Sequence, residues 1–269
     1  MNVLKIGDWE IYQLNGGKFA LDGGAMFGVV PKVIWEKLIK PDERNRIPMA
    51  VHPLLVKTNK NIYLIDVGIG KNWDEKFKDI YDVEEEDLFH NLDFGPEDVD
   101  YIIATHLHFD HMAGYVNYNF KKAKVIVQSM EWQDANFPHL RSKASYIRER
   151  IEPIKERLIL VEGDYKIEEG IYLILTGGHT RGHCVVLIEK FKKGIIFMAD
   201  LVPTIHHIHY PYVMGYDLYP VDSLYARYKI YNLILKNNYL MAFEHDREPK
   251  IGSLIIEDNK PKVILVNNF

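Results

Sequence analysis

Short apolar runs separated by turn residues dominate this chain, and they predict a protein rich in strands. The first two strands fall at 3–6 and 9–14. A hairpin follows from 54–57 and 62–66, closed by Thr58-Asn59-Lys60-Asn61. Further strands are predicted at 100–104, 124–128, 158–161, 171–175, 184–189 and 195–198, the last pair turned by Lys192-Lys193-Gly194. Strands at 239–243, 251–256 and 262–266 close the pattern. Helical spacing is clearest at 221–236, where Leu224, Tyr228, Tyr231 and Leu235 recur at intervals of three or four. Pro31 opens a predicted helix through Lys40, since proline suits a first helical turn. Another helix is predicted near 129–136, and two acidic amphipathic segments cover 72–80 and 84–91. The glycine-rich stretch from Gly16 to Gly28 lacks the Lys-Ser/Thr of a phosphate-binding loop. It reads as a loop whose apolar tip, Ala25-Met26-Phe27, packs inward, forms a mobile lid or meets a partner. No linker or repeat divides residues 1–269, which read as one domain of two mixed β/α halves.

Composition narrows the class. With 47% hydrophobic and 26% charged residues, the chain has ample material for the core of an ordinary soluble protein. A net charge of −5, without a long basic run, argues against a nucleic-acid partner. No signal-peptide hydrophobic region opens the chain and no apolar stretch reaches membrane-spanning length, so no membrane partner is expected. A single cysteine, Cys184, excludes an internal disulfide framework and fits a reducing, cytoplasmic compartment.

The chemistry is concentrated after the strand 100–104. There His106-Leu107-His108-Phe109-Asp110-His111 puts three imidazoles and a carboxylate within six residues. So many polar groups behind an apolar run are costly unless something binds them, and imidazole with carboxylate is a zinc-type ligand set. Later strands also end on ligand-type residues: His179 after 171–175, Asp200 after 195–198 and His245 after 239–243. Strand 62–65 ends at Asp66. Ligands converging from strand ends are what a rigid metal site needs.

This ordered set resembles the metallo-β-lactamase superfamily over nearly the whole chain. The resemblance implies an αβ/βα four-layer sandwich, two mixed β-sheets flanked by helices. It implies one metal held by His106, His108 and His179, a second by Asp110, His111 and His245, and Asp200 bridging both. Asp66 would orient the site, and His183 would be structural. Two divalent cations per chain, zinc first and iron, manganese or cobalt as alternatives, would share a water as a bridging hydroxide, about 3.5 Å separating the ions. Asp110 would accept a proton as well as bind metal.

Asp200-Leu201-Val202-Pro203-Thr204, Met214 to Pro220 and Asp22 to Pro31 are similar to the branch of quorum-quenching lactonases and methyl-parathion hydrolase. That branch implies hydrolysis of lactones of the N-acyl homoserine type or related esters, with organophosphate promiscuity. Some of its members carry a tyrosine three residues after the bridging aspartate. Pro203 stands there, so a tyrosine would come from Tyr210, Tyr212 or Tyr216, or be absent. Met26, Phe27, Phe109, His207 and these tyrosines are expected near the pocket. An aromatic wall of this kind suits a neutral acyl or aryl substrate. By analogy with the branch, exposed Met26, Phe27 and Trp35 would make a homodimer contact. Alternatives are a glyoxalase II-like thioesterase, for which 24 residues after His245 are few, a phosphodiesterase or nuclease, and a metal-dependent binding or sensor protein.

Overall fold

The computed structural model describes residues 3–266. Strands β1 (Val3–Ile6) and β2 (Trp9–Gln13) are followed by β3 (Lys18–Asp22), β4 (Arg46–Ala50), β5 (Leu54–Lys57) and β6 (Ile62–Ile65). Next come β7 (Tyr101–Ile103), β8 (Lys124–Gln128), β9 (Leu158–Val161), β10 (Tyr165–Glu168) and β11 (Ile171–Leu175). The last are β12 (Cys184–Lys190), β13 (Lys193–Phe197), β14 (Leu240–Phe243), β15 (Lys250–Glu257) and β16 (Lys260–Leu265). Helices are α1 (Gly23–Phe27), α2 (Lys32–Trp35), α3 (Glu75–Tyr81), α4 (Phe109–Met112), α5 (Ser129–Asn136), α6 (Arg148–Ile151) and α7 (Pro220–Asn237).

Two seven-stranded mixed sheets result. One runs β1-β2-β5-β6-β7-β8-β9, antiparallel up to β6 and parallel beyond it. The other runs β10 to β16 in chain order, antiparallel except for the β13–β14 pair. Alternation puts Ile11, Val56, Ile65 and Ile103 of the first sheet against Ile171, Val186, Ile195 and Phe197 of the second. Their outer faces are covered separately. Leu64, Ile102 and Val125 pack with Met112, Ile151 and Ile154, while Leu187, Ile196 and Met241 pack beneath Ala226, Ile230 and Ile234 of α7. These four layers are the sandwich expected.

Several local expectations change. The stretch read as a glycine loop contains β3 and α1, and β3 pairs with β4 as a separate two-stranded ribbon. Pro48 sits inside β4, tolerable where one edge needs no ladder partner. Residues 84–91 form no helix, and Glu84 bridges to Lys18 instead. The helix expected through Lys40 stops at Trp35 and continues as turns. On α7 the buried stripe is Ser223, Ala226, Arg227, Ile230, Tyr231 and Ile234, leaving Tyr228 exposed. Arg227 is fully buried because its guanidinium donates to the carbonyls of Leu201, His207 and His209. Met26, Phe27 and Trp35 are 1%, 0% and 1% exposed, so the dimer contact expected through them has no surface there. Phe27 instead stacks between Trp35 and His207. Among the described residues no helix is long and apolar enough to cross a membrane.

Candidate metal centre

Strand ends of both sheets deliver the polar residues to one edge of the sandwich. Beyond β7, the His108 carbonyl accepts from the His111 and Met112 amides and starts the single turn of α4. That turn brings Asp110 and His111 inward. Beyond β13, Ala199 adopts a φ of 42°, a left-handed value that costs a non-glycine residue roughly 1–3 kcal/mol. The bend carries Asp200 into the same space.

The seven expected ligands form two groups, and Asp66 and Glu244 make a third around His111. His106, His108, His179 and Asp200 offer ligand atoms all within 4.8 Å of one another, and so do Asp110, His111 and His245. Asp200 faces both, with Oδ2 2.9 Å from His179 Nε2 and Oδ1 3.0 Å from His245 Nε2. All seven are buried.

Outer partners set each ring. His111 Nδ1–H donates to Asp66 Oδ2 at 2.9 Å, and Asp66 also accepts the Thr105 amide at 2.8 Å and hydroxyl at 2.7 Å. His245 Nδ1–H donates to the Ala50 carbonyl at 2.9 Å, and His179 Nδ1–H to Asp217 Oδ1 at 2.9 Å. Such bonds fix the tautomer and turn the remaining lone pair toward the centre. His183 is not aimed there as a ligand. Its Nε2 accepts the Asp200 amide at 3.1 Å and its Nδ1–H donates to Thr176, so it holds the Asp200 backbone.

This arrangement calls for positive charge. His111 Nε2 and His245 Nε2 face each other at 3.2 Å although both rings have committed their Nδ1–H elsewhere, so two lone pairs meet unless a proton or a metal cation lies with them. His106 Nε2 is buried without a hydrogen-bond partner. Burial opposes charging His179 and His245 most strongly, yet the Asp200 carboxylate together with Asp217 at the first and Glu244 at the second lifts them to about 10 and about 9. Burial and the neighbouring imidazoles push His106 and His108 well below the usual histidine range. A nitrogen-rich set with carboxylate oxygens fits a zinc-type divalent cation.

Comparison with known proteins gives the family and the fold. Residues 46–248 match the family model described as the metallo-beta-lactamase superfamily. The chain belongs to that superfamily. Among its relatives, an N-acyl homoserine lactonase of a Bacillus species is 30% identical over 266 residues, covering 93% of this chain and 98% of that one. The solved structure of a probable metal-dependent hydrolase from Staphylococcus aureus has a TM-score of 0.90 and 34% identity, covering 99% of this chain and 100% of its own. AidC, a dizinc quorum-quenching lactonase, shares the fold with a TM-score of 0.81 at 20% identity, covering 100% and 98%.

In this superfamily member a cleft of about 390 Å³ opens onto His108, Asp110, His179, Asp200 and His245. Its wall is apolar at Leu21, Met26, Met49, Phe109 and Met214, and polar at Tyr81, Arg141, Ser142 and Tyr216. Of the expected pocket residues, Met26, Phe109 and Tyr216 therefore line it. Phe27, His207, Tyr210 and Tyr212 do not. His207 and Tyr212 pack on Phe27 behind the wall, and Tyr210 stacks on Tyr228 of α7. A larger groove, about 980 Å³, lies elsewhere, bordered by Trp9, Glu189, Lys190 and Tyr239. It contains none of the grouped ligands.

Sequence reading missed Asp217, Glu131, Glu244, Tyr81 and Arg141. Glu244 is fully buried with Oε2 3.1 Å from His111 Nδ1, and its position beside His245 was the only signal available. The others lie on elements whose approach to the site is a tertiary event.

Proposed function

We propose that this metal-dependent hydrolase, acting as one domain over residues 1–269, binds two divalent cations and opens lactones of the N-acyl homoserine type or related esters. The observation that carries the reading is Asp200, whose two carboxylate oxygens lie 2.9 Å from His179 Nε2 and 3.0 Å from His245 Nε2, one toward each ligand group. His106, His108 and His179 would hold one cation and Asp110, His111 and His245 the other, with Asp200 shared. Zinc suits the donors best, and iron, manganese and cobalt are compatible. Bound cations supply Lewis acidity and lower the pKa of water toward neutrality.

The chain's own residues do the remainder. Asp66, Asp217 and the Ala50 carbonyl keep three imidazoles aimed inward through the bonds described above. Asp110, which borders the cleft, is the group we assign to accept a proton as the acyl–oxygen bond is hydrolysed. Leu21, Met26, Met49, Phe109 and Met214 exclude water from the acyl portion, and methionine side chains adapt to chains of different length. The relatives' lactonase names support this substrate class. The same apolar wall suits neutral organophosphate triesters as a secondary class. It favours neither a thioester carrying a large polar thiol nor a nucleic acid.

The test is proton release from a panel of N-acyl homoserine, γ- and δ-lactones, using protein whose metal content has been counted. Turnover that disappears in Asp110→Asn and His111→Ala supports the assignment. Protein holding two metals per chain that leaves the whole panel intact refutes the lactone assignment and directs the search to thioesters and phosphoesters.

A further inference from the structure

Glu131 is a fully buried carboxylate on α5, outside both ligand groups. Its Oε1 accepts the Leu107 amide at 2.9 Å and the Tyr146 hydroxyl at 3.0 Å, while its Oε2 accepts the Thr180 hydroxyl. Leu107 lies between His106 and His108, and Thr180 directly follows His179. Tyr146 also meets the His108 ring edge-to-face at 4.8 Å. One carboxylate therefore joins the two segments that carry the three histidines of the first group, which arrive from different sheets.

The 176–183 loop is fitted to α5 at two further points. A Cβ on Gly182 would lie 2.5 Å from Glu131 Cβ, so only glycine permits this approach. One turn along α5, Asp134 Oδ2 accepts from Arg181 Nε at 2.9 Å. Burying a carboxylate is costly, and three donors offset that cost only while both loops keep their places. Apolar packing fills volume but does not fix direction in this way.

We infer that Glu131 is a positioning residue, holding His106, His108 and His179 in register for one cation through Leu107, Thr180 and Tyr146. The inference rests on the metal-centre reading of the site. Two separate substitutions test it. Thr180→Val removes the tie to the His179 segment at constant shape, and Thr180→Ser restores the hydroxyl. Glu131→Gln keeps an acceptor for Leu107 and Tyr146 but loses the charge.

Cobalt(II) is titrated into metal-free protein and followed by visible ligand-field absorption, with bound metal counted and the metal-free melting temperature measured in parallel. Wild type should fill in two steps. T180V should weaken one step about 10- to 100-fold, the usual effect of losing an outer partner, and leave the other unchanged. T180S should recover wild-type behaviour, and E131Q should weaken the same step by a smaller factor. With a lactone substrate, kcat should fall while KM holds. A two-step wild-type titration reproduced by both T180V and E131Q overturns the inference alone. Equal weakening of both steps with a lowered melting temperature also overturns it, because a purely structural role would act that way. Wild type that binds no cobalt overturns the metal-centre reading and this inference with it.

Discussion

Asp217→Ala perturbs the metal centre without removing a ligand. Asp217 is 3% exposed, and its Oδ1 accepts His179 Nδ1–H at 2.9 Å. Truncation leaves that N–H buried without an acceptor and frees the ring to rotate. A hydrogen bond to a charged group contributes about 1.5–3 kcal/mol. At about 1.4 kcal/mol per decade, that loss corresponds to roughly 10- to 100-fold weaker metal binding at the His106/His108/His179 group. Asp217→Asn keeps an acceptor but not the charge. A neutral bond contributes about 1 kcal/mol, so the amide should forfeit about half the effect and weaken binding several-fold. Competition for zinc against a chromophoric chelator measures both variants, with far-UV circular dichroism matched to wild type. Wild-type affinity in both refutes the reasoning, and so does an asparagine variant weaker than the alanine one.

Other outcomes follow from the same structure. Met49→Ala and Met214→Ala enlarge the cleft wall; KM should shift toward longer acyl chains by several-fold, with kcat on short lactones retained, and a chain-length profile matching wild type would count against the proposed acyl wall. His207 donates Nε2–H to the Met26 carbonyl at 3.0 Å and accepts the Thr204 hydroxyl at Nδ1 at 2.8 Å, so the fold holds it neutral. Burial, then the nearby Arg227 guanidinium, lowers its pKa to about 3. Since the folded pKa lies below the unfolded value, its contribution is complete above about pH 6.5 and is lost as pH falls toward 3, by up to about 1.4 kcal/mol per pH unit. Urea midpoints at pH 7.5 and 5.0 should therefore fall further for wild type than for His207→Gln, and parallel changes would refute the linkage. Gly114→Ala sets a Cβ 2.3 Å from the Val67 carbonyl oxygen; overpacking of this kind costs about 1–3 kcal/mol, visible as a lower urea midpoint. Chelation of the metals should lower the melting temperature, since a ligand at a thousandfold excess over its Kd stabilises by about 4 kcal/mol; coincident melts would show that no folded-state metal is lost.

Much of the metal centre was legible in the amino-acid order. His106, His108, Asp110 and His111 are neighbours along the chain, and His179, Asp200 and His245 each follow an apolar run. A strand end therefore announces them. Most strands were readable for the same reason, because an apolar run bounded by turn residues is a local property, while their division into two sheets came from the family resemblance. The polar β10 and the proline-bearing β4 escaped notice because their partners, not their own residues, make them strands.

Tertiary structure decided everything that depends on distance in space rather than in sequence. Asp217 lies 38 residues from the imidazole it orients, and Glu131 lies 49 residues from Thr180. No periodicity marks either one. Phe27, His207, Tyr210 and Tyr212 have the chemistry of a pocket lining, yet packing behind Met26 and against α7 removes them from it. The sequence by itself determined which residues could bind metal, because ligand chemistry belongs to the side chain. Only the packing of two sheets face to face, with their loops gathered at one edge, decided which carboxylate steadies which ring and which side chains line the cleft, because a hydrogen bond or a cleft wall exists only where distant segments converge.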